Sequence, residues 1–477
     1  MTAADHGRQP RPDAGFRTPV LRAWAIVTQY PLIATFGLAL ALRLGYVLAL
    51  YGIMGDAGLG IDDSIAYWAA AENLVRHGDL VMPGLDGGLV PETAYMPLYP
   101  LFLAAHIALT GGTDPLWPAL SQALIDSAAC VVIALLAGKF GRGYVPAAGL
   151  FAACNPTQIV IAGMILTDGL FLFWCALALL AAAGWLRRPG WPLALLLGGA
   201  LALALATRAM MLPWALAVPV LLAAGGALLG RITFGRGLQL GAALALCLAA
   251  QSPILIRNFD HYQALALTSQ AGTHFLLWLA PLVREAADGT AHGAGAAANQ
   301  RRYEAQADPD EGANPFRRSR AMSALALTIM AQLGPVTIAR AWGIGAAINL
   351  LGPSVILAPP VRTLPRIGFY DTPGASKLDK VVSFLFRNDN PTYGWVLLIG
   401  VGGTGLLRLI QLRGLARAAR GGAEARIGGL LMLAWIGFIL AINGPVASAK
   451  YRQPAEPAFA VLFALGVVRP PPRAAPG

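Results

Sequence analysis

Long uninterrupted apolar runs constrain most strongly what this chain can fold into. The 477 residues are 57% hydrophobic and only 12% charged, about half the charged fraction of a typical soluble domain. Several runs reach the ~20 residues that an α-helix needs to cross a bilayer. A chain of this composition cannot cover a water-exposed surface. We therefore predict an all-α integral membrane protein that crosses the bilayer many times.

The positive charge of the chain is best explained by membrane orientation. The formal net charge is +11, and the basic residues lie mainly at the edges of apolar runs. Cytoplasmic loops of membrane proteins carry such an excess of Lys and Arg. No nucleic-acid-binding motif accompanies the charge, so we predict no nucleic-acid partner. The first apolar run starts too late for a cleavable signal peptide, and we expect both termini to be cytoplasmic.

Placing the basic edges on the cytoplasmic side divides the chain into segments. We predict a cytoplasmic tail at 1–30, a membrane module at 31–256, an outer region at 257–390, C-terminal spans within 391–470 and a tail at 471–477. The predicted spans are 31–52, 119–137, 144–164, 169–186, 191–206, 211–229, 238–256, 393–412, 427–445 and 454–468. The module thus contains seven spans, and its first outer loop covers 54–118.

The two outer regions are expected to contain helices that do not cross the bilayer. The run 96–110 is too short to span and holds two prolines, so we predict a juxtamembrane helix there. Segments 322–333 and 341–359 are apolar, and we expect one or both to be interfacial or re-entrant. The polar, Ala/Gly-rich stretch 284–320 is predicted to be a mobile loop. Loops of this kind often carry binding specificity.

An acidic pair, Asp62-Asp63, follows the first predicted span. A helix over 62–75 would place Asp63 and Tyr67 on one face. Carboxylates could simply cap the start of that helix, but a pair in a long loop at a membrane surface also suggests chemistry on a lipid-borne molecule. Within the first span, Arg43 lies at a depth that is costly for a charge. We expect it to pair with a buried acid such as Asp126.

Short motifs along the whole chain occur in the order of a known family. They are Asp63–Leu74, Gly78-Asp79, Met96–Phe102, Asn155-Pro156, Thr167–Phe171, Thr207-Arg208, Arg257-Asn258 and Lys450–Pro454. Each motif alone is weak, but the ordered set resembles the GT-C glycosyltransferases. Within them it is most similar to the dolichyl-phosphate-mannose–protein mannosyltransferase-like family and the bacterial lipid A aminoarabinose transferases.

The resemblance implies a polytopic GT-C-type helical bundle and a hexosyl- or pentosyltransferase activity. The donor would be a polyprenyl-phosphate-linked sugar, and the acceptor a hydroxyl of a lipid, glycan or protein. Transfer would occur on the periplasmic or extracellular side of the plasma (inner) membrane. The family's catalytic base maps onto Asp63 by its distance from Tyr67. A carboxylate there could take the acceptor proton, which suits inversion; retention would require a second carboxylate as nucleophile.

Further residues on the outer side are candidates for substrate binding. The cations that could bind the leaving phosphate are Arg208, Arg257, Lys450 and Arg452. The other candidates are Asp62, Tyr67, Glu92, Tyr95 and Asp168. Many relatives carry a basic residue immediately before a Pro-Pro-Leu segment. Here that position is Tyr95, and Met96 replaces the first proline, so one phosphate contact of the family is missing.

No cofactor is required by the sequence, although a divalent cation is possible. Asp62, Asp63 and Asp168 could supply the oxygen ligands that such a cation prefers, whereas no histidine or cysteine cluster has metal-ligand spacing. A transporter or flippase of lipid-linked saccharides is an alternative function, and a ligase of such saccharides is another. A transporter would concentrate charges and broken helices near the bilayer midplane, whereas this chain concentrates acids in outer loops.

Overall fold

A computed structural model describes residues 28–60, 62–84, 87–308, 314–364, 377–387 and 391–469. Within these ranges the chain is a bundle of α-helices, and the strands form one antiparallel two-stranded ribbon. The predicted all-α membrane fold is therefore confirmed, with the ribbon as a small addition in the first outer loop. The chain is a multi-span membrane protein.

The first half of the chain contains the helices that carry most of the outer-loop motifs. They are α1 (Pro31–Met54), α2 (Asp56–Leu59), α3 (Asp62–His77), α4 (Leu98–Thr110), α5 (Leu116–Gly138), α6 (Val145–Ala153), α7 (Pro156–Ala162), α8 (Asp168–Arg187), α9 (Trp191–Thr207), α10 (Leu212–Leu228), α11 (Phe234–Ala249) and α12 (Ser252–Tyr262). Strands β1 (Val81–Pro83) and β2 (Leu89–Pro91) lie between α3 and α4. The helix predicted at 62–75 and the one predicted at 96–110 are thus both present.

The second half begins with the region after α12 and ends with three packed helices. Its helices are α13 (Gln270–His274), α14 (Ala280–Asp288), α15 (His292–Glu304), α16 (Pro315–Leu333), α17 (Pro335–Leu351), α18 (Pro359–Arg362), α19 (Lys377–Phe386), α20 (Pro391–Ala419), α21 (Ala423–Asn443) and α22 (Glu456–Val467). A π-helical turn, Phe275–Leu279, joins α13 to α14, and a 3₁₀ helix, Ala449–Ala455, leads into α22.

Among the described residues, six helices are long and apolar enough to cross a membrane, or up to nine spans if each of three bent pairs counts as one. The bent pairs are those at α6–α7, α11–α12 and α16–α17. The sequence predicted ten spans. Two of these correspond to short helices, the 17-residue α9 and the 12-residue α22, which apolar sequence alone does not distinguish from full spans.

The sharpest bend, 104°, separates α16 from α17. Gly334 occupies the bend with a φ of +83°, a left-handed conformation that glycine adopts without steric cost. Pro335 follows and starts the next helix, since proline lacks the N–H that an interior helical position needs. The bent pair is either a broken span or a re-entrant loop, so the interfacial or re-entrant helices predicted for one or both of 322–333 and 341–359 stay a prediction.

The core of the bundle is built around α8, which packs against α5 on one side and α9 on the other. Its Trp185 is fully buried, as is Trp435 of α21. Small residues allow the closest helix approaches. A side chain at Gly414 in α20 would overlap the Leu462 carbonyl of α22, and one at Gly198 in α9 would overlap the Ala243 backbone of α11.

The predicted pairing of Arg43 with Asp126 is confirmed. The Arg43 guanidinium bonds to the Asp126 carboxylate, and both side chains are 0% exposed. Arg43 also donates to the Ala153 carbonyl at 3.0 Å and to Gln158 Oε1 at 3.2 Å. These contacts tie α1 to α5 and to the α6–α7 bend. A buried charge persists only when it is paired and hydrogen-bonded in this way.

The prediction of a mobile loop at 284–320 is wrong for the described residues. Most of this stretch forms the end of α14, all of α15 and the start of α16. Tyr303 and Phe316 are buried, and Tyr303 shares a core with Leu276. Alanine has the highest intrinsic helix propensity, so the Ala-rich composition favours helices once a few large side chains can pack together. Residues 309–313 lie outside the described ranges.

Candidate active site

The start of α3 is held against the segment that precedes α8. Ser64 Oγ donates to the Ile165 carbonyl at 2.9 Å, and the Ile165 N–H donates to the Leu59 carbonyl at 3.1 Å. Asp63 lies in the first turn of α3 and Asp168 is the first residue of α8. These two hydrogen bonds therefore bring the two acidic helix starts to the same end of the bundle.

Asp63 forms an ion pair with Lys450. The Lys450 Nζ lies 3.2 Å from Asp63 Oδ2. The Asp63 side chain is 54% exposed, whereas that of Lys450 is 15% exposed. Burial by itself lowers the pKa of the Lys450 ammonium, but Tyr451, Asp168 and Asp63 outweigh it and raise the pKa above its usual range. The site thus pairs an accessible carboxylate with an ammonium that stays charged at physiological pH.

Asp168 and Arg208 form a second, more deeply placed ion pair. Arg208 Nη1 lies 3.0 Å from Asp168 Oδ1, and the two side chains are 20% and 1% exposed. Burial disfavours the charged guanidinium, yet the neighbouring Asp168 raises the net pKa of Arg208. Within the described part of the chain, Asp168 Oδ2 has no hydrogen-bond partner. This leaves one buried acceptor oxygen with unused capacity.

Three tyrosines form an aromatic wall behind Asp63. The Tyr67 ring meets those of Tyr95 and Tyr99 edge to face, with centroid distances of 4.9 Å and 5.1 Å. Tyr99 Oη donates to Gln122 Oε1 at 2.6 Å, which anchors α4 to α5. Burial is the largest cause of a raised pKa at Tyr67. The Tyr67 hydroxyl is therefore a neutral group at physiological pH, suited to hydrogen bonding rather than to proton abstraction.

Glu92 and Arg257 help to shape the first outer loop. The Glu92 carboxylate accepts the N–H groups of Ala94 at 2.5 Å and Tyr95 at 3.2 Å. Arg257 Nη2 donates to the Glu92 carbonyl at 2.6 Å and to Asn258 Oδ1 at 2.9 Å. In this structure both side chains thus serve the turn that positions Tyr95.

Arg452 lies two residues beyond Lys450 but is bonded to other parts of the protein. It is 4% exposed, and its Nε lies 2.9 Å from Glu456 Oε1. Its Nη1 donates to the Gly352 carbonyl at 2.8 Å, and its Nη2 to Thr157 Oγ1 at 3.1 Å. The structure therefore brings Asp63, Lys450, Asp168, Arg208 and the tyrosines together, while Arg452 joins α22 to α7 and to the end of α17.

A large groove begins beside Arg452. Its volume is ≈ 830 Å³, within the range of about 300–1,000 Å³ that is usual for small-molecule sites. It lies between α6, α20 and α22, and most of its wall is apolar, including Phe151, Leu407 and Phe463. Arg408 also lines it, with its guanidinium 3.7 Å from the centre of the Phe459 ring. The groove could hold a long apolar chain next to a few polar groups.

The described residues include no group of three or more His, Cys, Asp or Glu side chains that could hold a metal ion. Asp62 begins α3, but its side chain lies outside the described part of the structure. Asp63 faces the Lys450 ammonium and Asp168 faces the Arg208 guanidinium. In this structure a cation of the protein balances the charge of each of these two carboxylates.

Several residues that build the site were not identified from the sequence. Ser64 is one of them, since its hydroxyl bonds to a carbonyl 101 positions away. Asn349 accepts the Ser448 N–H at 3.1 Å, and Asn443 donates to the Tyr451 carbonyl at 3.0 Å. These two asparagines hold the segment that carries Lys450. Polar side chains inside apolar helices were the available signal, because they need a buried partner.

The backbone has the architecture of known membrane glycosyltransferase structures. No protein-family model matches the sequence, and no curated protein matches it either. Two structures of the archaeal oligosaccharyltransferase AglB from Archaeoglobus fulgidus align with 94% and 93% of the chain, at TM-scores of 0.51 and 0.52 and 13% identity. The fold is of the GT-C type.

The extent of that likeness is limited. The chain spans about half the length of AglB, since the alignments cover 50% of that protein. A structure of ArnT from Cupriavidus metallidurans also aligns, over 94% of this chain and 77% of its own, with 15% identity and a TM-score of 0.36. The GT-C fold of this chain thus rests on the AglB comparison. At this identity the comparison describes the fold and leaves the reaction to the geometry of the site.

Proposed function

We propose that this protein is a membrane glycosyltransferase that moves a sugar from a polyprenyl-phosphate-linked donor to an acceptor hydroxyl. The observation that carries the proposal is the ion pair between Asp63 and Lys450, at an accessible position beside the buried Asp168–Arg208 pair. It combines a carboxylate that can accept a proton with a cation that can receive a phosphate. These are the two groups that a hydroxyl-to-anomeric-carbon transfer needs.

In the proposed reaction Asp63 is the general base. The acceptor hydroxyl loses its proton to the Asp63 carboxylate as its oxygen bonds to the anomeric carbon. The bond from that carbon to the phosphate oxygen breaks, and the polyprenyl phosphate leaves with the bonding electrons. A single displacement inverts the anomeric centre, and it needs no second carboxylate as nucleophile. Asp168 is held by Arg208 at the back of the site, which supports this assignment.

Lys450 would change its ion-pair partner when the donor binds. Its ammonium pairs with Asp63 in this structure, and a donor phosphate close to the site would compete for it. Moving towards the phosphate would leave the Asp63 carboxylate available to the acceptor. Arg208 would add positive charge from behind Asp168, while Tyr67 and Tyr95 would form a wall against the sugar. The groove beside Arg452 is the proposed place for the apolar chain of the donor.

The comparisons and the charge pattern support further parts of the proposal. One of the aligned AglB structures contains a dolichol-phosphate and an inhibitory peptide, and another an acceptor peptide. A lipid-linked donor for this chain follows by analogy of fold. The acceptor is proposed to be a lipid, glycan or protein. The basic edges of the spans favour an inner-membrane location, with cytoplasmic termini and the site on the periplasmic or extracellular face.

A transfer assay on the purified full-length chain in detergent tests the function. Wild type is incubated with a set of synthetic polyprenyl-phosphate sugars, and release of polyprenyl phosphate is measured with candidate acceptors. We expect Asp63→Asn to reduce turnover about 10²–10⁴-fold, the contribution of general base catalysis. Glu72→Gln is the matched control, because Glu72 lies on the same helix in a largely exposed pair with Arg76. It should retain full turnover.

The same assay separates transfer from transport. Detergent micelles have no interior compartment, so a flippase would give no chemical change in them. Turnover by wild type, lost in Asp63→Asn and kept in Glu72→Gln, supports the proposed reaction. Equal turnover in all three proteins would remove Asp63 from the mechanism. No turnover with any donor, together with donor movement across vesicles, would favour the transporter instead.

A further inference from the structure

A basic cavity lies at the opposite end of α8 from the candidate active site. Asp168 begins this 20-residue helix and Arg187 ends it. At 1.5 Å per residue the two ends are about 30 Å apart, which matches the thickness of the hydrocarbon core. The cavity has a volume of ≈ 500 Å³ and lies where α5, α8, α10 and α21 end or begin. It therefore opens at the other membrane surface.

Three cations and one acid line this cavity. Glu424 bridges Arg187, at 3.1 Å, and Arg231. Arg231 Nη1 also donates to the Leu186 carbonyl at 2.8 Å, and Arg187 bonds to the Lys139 carbonyl. Each arginine is thus held in a defined orientation by the protein. One carboxylate cannot neutralise three cations, so the cavity retains positive charge.

Lys139 is the cation that the protein leaves available. Within the described ranges its ammonium makes no ion pair. Its stem runs along the last turn of α8, with Cε close to Gly184. A Cβ at that glycine would lie 3.6 Å from Lys139 Cε, an ordinary van der Waals distance. Lys139 lines the same cavity as Arg187, Glu424 and Arg231.

The rest of the wall contains several apolar side chains. Phe140 packs on Gly428 of α21, and Ile427 fills the space above Gly225 of α10. Leu186 and Leu229 complete this side. A cavity with fixed cations at its mouth and apolar residues on its wall suits a ligand that has an anionic head and an apolar tail. Basic pockets between helices on the cytoplasmic side bind anionic lipid headgroups in this way.

We infer that this cavity binds the phosphate headgroup of an anionic phospholipid from the leaflet opposite the candidate active site. The phosphate would lie between Lys139 and the two arginines, with Glu424 keeping the arginines in place. The bound lipid would link the four helix ends that surround the cavity. The inference is independent of the reaction proposed above, because it uses none of the residues near Asp63.

The test measures how lipids change the melting temperature of the full-length protein in neutral detergent. Phosphatidylglycerol is added at increasing concentrations, with phosphatidylcholine and inorganic phosphate as separate arms. We expect phosphatidylglycerol to raise the melting temperature, and added salt to weaken the effect. Removal of one cation by Lys139→Gln should weaken the apparent affinity about fivefold. Lys139→Arg should preserve it.

Arg142→Gln is the matched control, since Arg142 is an exposed cation at the same membrane surface outside the cavity. It should respond to phosphatidylglycerol as wild type does. An identical response of Lys139→Gln and Arg142→Gln would overturn the site. An equal rise with inorganic phosphate would assign the cavity to a soluble anion and overturn its assignment to a lipid. An equal rise with phosphatidylcholine would show that charge does not select the ligand, and would overturn the proposal too.

Discussion

Two of the ion pairs among the described residues, Arg43–Asp126 and Lys450–Asp63, look alike in composition and differ in burial and in their other contacts. Arg43–Asp126 is 0% exposed on both sides, and its guanidinium is saturated with protein acceptors. Lys450–Asp63 is partly open to solvent, and its carboxylate has no other bond to the protein among the described residues. Saturated contacts hold a scaffold together, whereas an accessible pair can exchange partners. The comparison thus separates a saturated, buried pair from an accessible one, to which we assign the proposed reaction.

The largest expected effect is a loss of stability when the Arg43–Asp126 pair is broken. Asp126→Asn removes the negative partner of a buried guanidinium, and breaking such a pair costs about 3–5 kcal/mol. We expect a large fall in the melting temperature of the purified protein, while Glu72→Gln, in its exposed pair, changes stability by less than about 1 kcal/mol. Similar melting of the two variants would mean that burial does not distinguish the pairs.

Next in size is the effect of Lys450 on the rate. Lys450→Gln removes the cation proposed to receive the leaving phosphate, and one lost electrostatic contact of this kind costs about 100-fold in rate. Lys450→Arg keeps the charge and should recover part of that loss. The measurement is kcat/KM for the donor together with the melting temperature. If Lys450→Gln lowered stability but kept kcat/KM, the pair would be structural like Arg43–Asp126.

A smaller effect on stability and turnover is expected from the backbone contact that precedes the Lys450 segment. A side chain at Gly345 of α17 would overlap the Gly444 carbonyl and press on Pro445, just before the segment that carries Lys450. Gly345→Ala should therefore cost about 1–3 kcal/mol and lower turnover as well. Gly343→Ala is the control, because a Cβ at that position would meet no atom within 4 Å. Equal stability and turnover in both variants would show that this contact is not needed.

The smallest expected effect is the pH dependence of the melting temperature that Lys450 causes. The folded protein raises the pKa of Lys450 above its ordinary value of 10.5, so the ammonium stabilises the fold fully below that value. This contribution is lost as the pH rises through the higher folded pKa. Wild type should thus melt slightly above Lys450→Gln near neutral pH, and the difference should shrink only at strongly alkaline pH. A difference that disappears near pH 7 would contradict this assignment of charge.

Much of the scaffold could be predicted because it depends on local sequence. Apolar run lengths predicted the membrane class, and the depth of Arg43 predicted a buried acidic partner such as Asp126. The helices at 284–304 were missed, because their packing depends on a few large residues such as Tyr303 that composition does not reveal. The likeness to the GT-C fold was predicted from motif order and is confirmed by the aligned backbones.

The sequence by itself determined that the chain is a multi-span membrane protein and that Asp63 follows the first apolar run, since apolar length and charge position are properties of neighbouring residues. Only the tertiary structure decided the cation that Asp63 meets. Lys450 is 387 positions away, in a segment held by Asn349 and Asn443, whereas Arg452 of the same motif turns into the protein. Which cation pairs with a carboxylate so far away in the chain depends on how the helices pack, and a local sequence pattern does not predict it.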